Sequence, residues 1–210
     1  NIPGRKTDVK DAEWIATLFQ HGLLEPSFVP ERTIRDLREF SRTYKNSVSE
    51  KVRCLNRLEK FLQTHGFKLS SVLSDINSVS GIRILTILSE KGSLAVSDVQ
   101  NAISSNTKKS AYEIQLAVCG RLNPNECFLL SDFLDQLNLI QSHIDKILSK
   151  MQEIAAPYAN ILEQLDSIPG IDITAALLIL AEIGSNPQDH FKTSAHLCSW
   201  AGLSPRNDES

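Results

Sequence analysis

Two stretches of this chain repeat their apolar residues at alternating steps of three and four, and that periodicity constrains the fold more than any other feature. The first runs Ile34, Leu37, Ser41, Tyr44, Val48, Lys51, Leu55, Leu58, Leu62. It stops at His65-Gly66, where glycine supplies a left-handed C-cap. The second is cleaner: Leu130, Phe133, Leu137, Ile140, Ile144, Ile147, Met151, Ile154, Tyr158, Ile161, Leu165, five heptads of apolar a and d positions. Such a run predicts a coiled-coil seam. Pro157 falls inside it, and an interior proline removes a hydrogen bond and clashes with the preceding turn, so a kink or restart and a domain boundary are expected there. The pattern allows two partners for the seam: the 34–62 helix packed on the 127–155 helix of the same chain, or a second copy. Ser41 and Lys51 weaken the first seam for either arrangement.

Between the two runs, start and stop signals predict short helices over Ser80 to Glu90, ended by Lys91-Gly92, over Ser93 to Ser104, and over Lys109 to Cys119, ended by Gly120. None carries an evident site, and the region is assigned to packing. Residues 158–184 read as helix, turn at Ile168-Pro169-Gly170-Ile171-Asp172, helix, an arrangement resembling a helix-hairpin-helix. In such a turn Gly170 and Ile171 would bring backbone N–H groups to a phosphate. Asp172 stands where a second glycine is usual, and an acid there N-caps the following helix equally well and repels phosphate. The fold class expected is mainly α, with long coiled-coil helices joined to a helix-hairpin-helix-like helical domain.

No apolar run approaches the roughly 20 residues that span a bilayer, so no membrane role is indicated. The net charge of −3 offers nothing in favour of nucleic acid, but its distribution does. Between Glu31 and Lys60 nine Lys/Arg face five Asp/Glu, and Arg35, Arg38, Arg42 and Lys45 recur at helical spacing. That basic face reads either as a solvated surface or as a phosphate contact. The four cysteines have no metal-ligand spacing and read as reduced thiols of a cytoplasmic protein. The five histidines do not cluster and read as structural.

The chemistry-bearing stretch is Gly4-Arg5-Lys6-Thr7-Asp8-Val9-Lys10-Asp11-Ala12. Residues i and i+3 share a helical face, so Asp8 and Asp11 could hold one hard divalent cation from the same side, with Arg5, Lys6 and Lys10 meeting a phosphate. A D-x-x-D pair alone more often caps a helix and complements its dipole. In the tail, Asn207-Asp208-Glu209-Ser210 would ordinarily be a solvated loop, and no nearby histidine could activate the Ser210 hydroxyl.

The run from Asn1 through Asp8 and Asp11 to Glu13-Trp14-Ile15-Ala16 resembles the end of the resolvase-like catalytic domain of the DEDD/serine insertion-sequence transposases, the bridge-RNA-guided recombinases. Gly22-Leu23-Leu24, Ser27-Phe28-Val29-Pro30 and Ile34-Arg35-Asp36-Leu37-Arg38 also read like that family. At the far end, Leu165 to Ala176, Ala181-Glu182-Ile183-Gly184 and Ser199-Trp200-Ala201-Gly202-Leu203-Ser204-Pro205 are similar to its C-terminal transposase domain, in which a serine shortly after such a Gly-Leu-x-Pro stretch is the nucleophile.

The resemblance implies DNA strand cleavage and joining in transposition, with Asp8 and Asp11 binding Mg²⁺ and Ser210 forming a covalent phosphoserine link to DNA. It implies residues 1–30 as the end of the DEDD domain, 31–156 as a coiled-coil helical region and 157–210 as the first part of the transposase domain. The partners implied are DNA, a guide RNA and a second copy through the coiled coil. The family's other Asp and Glu would lie before Asn1, so the chain is expected to be a fragment, inactive alone. The rival readings are a non-enzymatic helical scaffold that dimerises and binds nucleic acid, and an unrelated coiled-coil protein.

Overall fold

The computed structural model describes residues 8–24, 30–105 and 107–203, and the described residues form a mainly α fold with no strand among them. Two long helices, α2 (Arg32–Thr64) and α6 (Pro124–Ala155), lie antiparallel and pack along their length. Ile34 and Leu37 at the start of α2 share a cluster with Ile147 and Met151 near the end of α6. Phe61 near the end of α2 meets Phe133 near the start of α6, with ring centroids 5.7 Å apart. The seam therefore closes within the chain, the first of the two arrangements the heptads allow.

Each long helix has the ends its sequence dictates. At the start of α6, the Asn123 side chain accepts from the N–H groups of Asn125 and Glu126, at 2.9 and 3.0 Å, while Glu126 Oε2 accepts from Asn123 N–H at 2.8 Å. Pro124 sits where its missing N–H costs nothing. This capping box starts the helix at 124, three residues before the expected 127. Past α2, Gly66 takes φ +84° and Phe67 N–H bonds back to Leu62, which fixes the stop at the expected place.

The buried positions of α2 are Ile34, Leu37, Ser41, Ser47, Cys54, Leu58 and Leu62. Heptad positions Val48 and Leu55 are only half-buried, displaced by Ser47 and Cys54. The buried line moves to the preceding residue at these two places and is back on the heptad at Leu58 and Leu62, so the shift is local, since a straight helix drifting about 20° per heptad would move it to later residues. In α6, Leu134 and Ala155 are likewise buried where the heptads placed Phe133 and Ile154.

The hairpin's connection holds α3 (Val79–Lys91), α4 (Val96–Ala102) and α5 (Ala111–Ala117), the last two shorter than expected. These pack with the far halves of α2 and α6 around Leu58, Phe67, Leu85, Ile114 and Leu130, all at most 1% exposed. Burying each such side chain contributes about 1.5–3 kcal/mol relative to leaving it in water. A second core joins the other end of the hairpin to α7 (Ala159–Asp166) and α8 (Ile173–Ile183), through Met151, Leu162, Ala176, Leu177 and Leu180. Between the two cores the hairpin carries a polar bridge beside buried Ile144: Lys51 Nζ donates to Gln141 Oε1 at 2.5 Å, and Gln141 donates to Asp145 at 2.7 Å.

Pro157 lies in a 3₁₀ turn, Ala156–Tyr158, so α6 ends and α7 restarts there as the proline requires. The proline breaks the helix but not the core, since α7 and α8 share their cluster with α2 and α6. Tyr158 also donates its hydroxyl to Glu31 ahead of α2. Burial, and then that carboxylate, push its phenol above the ordinary value. Two peripheral helices remain, α1 (Asp8–Gln20) and α9 (Ser194–Trp200).

Candidate functional site

The structure distributes the candidate residues over three places. Asp8 and Asp11 occupy the first turn of α1, both exposed, where acids also complement the helix dipole. Lys10 shares that turn and is itself engaged in an interaction. Helix α1 buries none of its residues, and its large apolar side chains Trp14, Ile15 and Phe19 are exposed. Among the described residues no group of three or more His, Cys, Asp or Glu gathers that could hold a metal. The donor set at α1 is thus two carboxylates, hard oxygen ligands suited to a hard cation but fewer than such an ion takes. Arg5, Lys6 and Ser210 lie outside the described residues.

The second place is the basic face of α2, where Arg35, Arg38 and Arg42 surround a shallow pocket with Glu39, Thr43 and Asn46. Arg35 and Arg42 are exposed, but Arg38 is half-buried and turned to the end of α8. Its Nε donates to the Ala181 carbonyl at 3.1 Å and its Nη2 to the Glu182 carbonyl at 2.9 Å. The last carbonyls of a helix have no intrahelical partner and carry its negative dipole end, which is where a guanidinium binds best. Lys45, about two turns further along α2 than Arg38, pairs with the Glu182 carboxylate at 3.2 Å. Two of the four cations on this face therefore clamp α8, a role the spacing in sequence did not reveal. Only the separation of more than 130 residues hid it, because the charges themselves are complementary.

The third place is the turn between α7 and α8. Gly170 takes φ +91° with nothing within 4 Å of where a Cβ would stand, and Ile171 N–H closes the turn on the Ile168 carbonyl at 3.0 Å. A left-handed residue is needed there, and glycine takes it without strain. Asp172 N-caps α8, its Oδ1 accepting from Ala175 N–H at 2.7 Å, so its carboxylate already covers the N-terminus that a phosphate would approach. The turn itself stays exposed, with Ile168 and Gly170 in solvent.

Residues 1–67 match the DEDD transposase family model of the IS110 group, and residues 162–210 match the model described as Transposase IS116/IS110/IS902 family. The chain belongs to the IS110-family transposases. No curated protein and no solved structure matches it. The first matched segment of this transposase contains α1 and α2, and the second begins within α7 and contains α8 and α9. Although 94 residues lie between the matches (68 to 161), the clamp of Arg38 and Lys45 on Glu182 joins the two segments directly. Among the described residues of the transposase, no helix is long and apolar enough to cross a membrane.

Proposed function

We propose that this transposase chain takes part in cleaving and joining DNA strands, and that the α2–α6 hairpin holds the two family segments in a fixed relation for that reaction. The observation that carries the reading is the direct contact of the two matched segments through Arg38, Lys45 and Glu182. DNA is the substrate, a guide RNA and a second copy are the further partners, and the exposed cations Arg35 and Arg42, with Arg5, Lys6 and Lys10, meet phosphates. Such contacts position a strand without reading its bases. The Gly170-Ile171 turn offers a further backbone approach to the strand.

Asp8 and Asp11 are proposed as ligands of Mg²⁺. Such an ion neutralises the charge that develops on phosphate oxygens. Ser210 is proposed as the nucleophile: its Oγ forms a bond to phosphorus, the bridging oxygen of the cut strand leaves with the electron pair, and the hydroxyl proton passes to a base. In the same proposal residues 1–30 end the DEDD domain, 31–156 form the coiled-coil region and 157–210 begin the transposase domain.

The test is Ser210→Ala in the full-length protein incubated with target DNA and resolved on denaturing gels. The expected result is loss of the covalent protein–DNA adduct with DNA binding intact. An adduct that persists removes Ser210 from the chemistry, and the absence of any adduct from the unaltered protein favours the non-enzymatic scaffold.

A further inference from the structure

The hairpin's far end carries a pocket of about 450 Å³ that neither family match covers, lined in part by Ser74, Ser78, Ser80, Ser104, Lys108 and Lys109. Its chemistry is one-sided. Ser78 caps α3 and its Oγ accepts from Gly81 N–H at 3.1 Å, while Ser80 Oγ, on a residue 5% exposed, accepts from Ser104 N–H at 3.0 Å. Each hydroxyl has an acceptor lone pair occupied by backbone and retains an O–H to donate. Lys109 is shared with Glu113 at 3.3 Å, and Lys108 is exposed with no carboxylate partner among the described residues. Among the described residues no Asp or Glu lines the pocket, and the neighbouring Asp75 accepts from Asn77 N–H. Hydroxyl donors beside the Lys108 ammonium, with Lys109 shared with Glu113 at the edge, suit a phosphoryl group.

We propose that this pocket binds a backbone phosphate of a nucleic-acid strand, making the hairpin's far end a strand contact separate from the α2 basic face. The inference rests on the proposed nucleic-acid function. Free phosphate offers the same oxygens, so strand and small anion must be distinguished. A strand phosphate here predicts sequence-independent binding whose salt dependence includes the Lys108 charge.

The experiment titrates the full chain into fluorescein-labelled DNA duplex and single-stranded RNA, reading anisotropy at several salt concentrations. Lys108→Glu and Ser74→Glu each place an acid at an exposed pocket position and should leave the melting temperature unchanged. Each should weaken binding about fivefold or more for at least one of the two probes, and Lys108→Glu should lower the salt slope by about one. Arg42→Glu on α2 is the control. If Arg42→Glu weakens binding and both pocket variants match wild type, the pocket proposal fails and the nucleic-acid function stands. If the unaltered chain binds neither probe, the function fails first. Amide shifts of the wild-type chain provide a second reading: oligonucleotide should move Ser78, Ser80 and Ser104. Movement with inorganic phosphate but not with oligonucleotide would overturn the strand assignment.

Discussion

Arg38 on α2 reaches past the Glu182 carboxylate, 3.9 Å from its Nε, to donate to the Glu182 backbone carbonyl at 2.9 Å. The contact is thus more a helix cap than an ion pair. A planar fork can serve two carbonyls at once, and an ammonium cannot match that geometry. Arg38→Ala leaves the carbonyls of Ala181 and Glu182 without their donor at a half-buried helix end. Hydrogen bonds to charged groups contribute about 1.5–3 kcal/mol each, and water will recover part of that here. The expected outcome is a loss of about 1–3 kcal/mol in urea unfolding, with Arg38→Lys falling between. Equal stability of all three chains would show the clamp to be ornamental.

The seam residues Ile144 and Ile147 are each 6% exposed, and Ile147 shares a cluster with Ile34 and Leu37 of the chain's own α2. Placing Asp at both positions buries charge without a partner, at a cost of several kcal/mol. Because the seam closes internally, helicity should fall even at concentrations where the chain is monomeric, as read by circular dichroism together with sedimentation. Helicity that survives while only a larger assembly is lost would place these residues at a contact between copies.

Periodicity made the two long helices legible, and glycine and proline marked their ends, because these signals are local. The antiparallel pairing was one of two options, and the choice depends on contacts across some 90 residues, such as Lys51 to Gln141. The one-residue shift to Ser47 and Cys54 was hidden because an apolar pattern selects Val48 and Leu55 over the small side chains beside them. Ser41 fell on the expected seam and is wholly buried with its hydroxyl unpartnered, a polar group whose burial costs stability, in keeping with the weakness the pattern marked there. The candidate site was legible only as residue types. Asp8 and Asp11 do share a first helical turn, but which cations would cap α8 instead of facing solvent depended on where α8 docks.

Glu113 gives α5 a pH dependence. Its carboxylate accepts from the Ser110 N–H and hydroxyl, both at 2.9 Å, and pairs with Lys109. These partners, the backbone bond first, hold its pKa down at about 2 against 4.5. A depressed carboxylate stabilises the fold above its unfolded pKa, and the contribution disappears as pH falls through the folded value. The cap should therefore hold near neutrality and weaken between about pH 4.5 and 2. The protection of the α5 amides, exchange measured against the intrinsic rate at each pH, should fall across that window, and Glu113→Gln should flatten the response. A Glu113→Gln chain with the same pH profile would assign the change to other carboxylates.

The α1 carboxylates distinguish a ligand from a cap. Asn keeps the shape of Asp and loses only the charge that complements the helix dipole, so Asp8→Asn and Asp11→Asn should each cost no more than about 1 kcal/mol of stability. A hard cation, by contrast, needs the negative charge that Asn lacks. In the full-length protein, metal-dependent strand cleavage should then fall by two or more orders of magnitude for either variant while folding is retained. Restoring activity by raising Mg²⁺ would mark a weakened ligand rather than a lost one and would still support metal binding. Unchanged cleavage with unchanged stability would leave Asp8 and Asp11 as helix-opening residues on an exposed helix, and the metal would have to be held elsewhere.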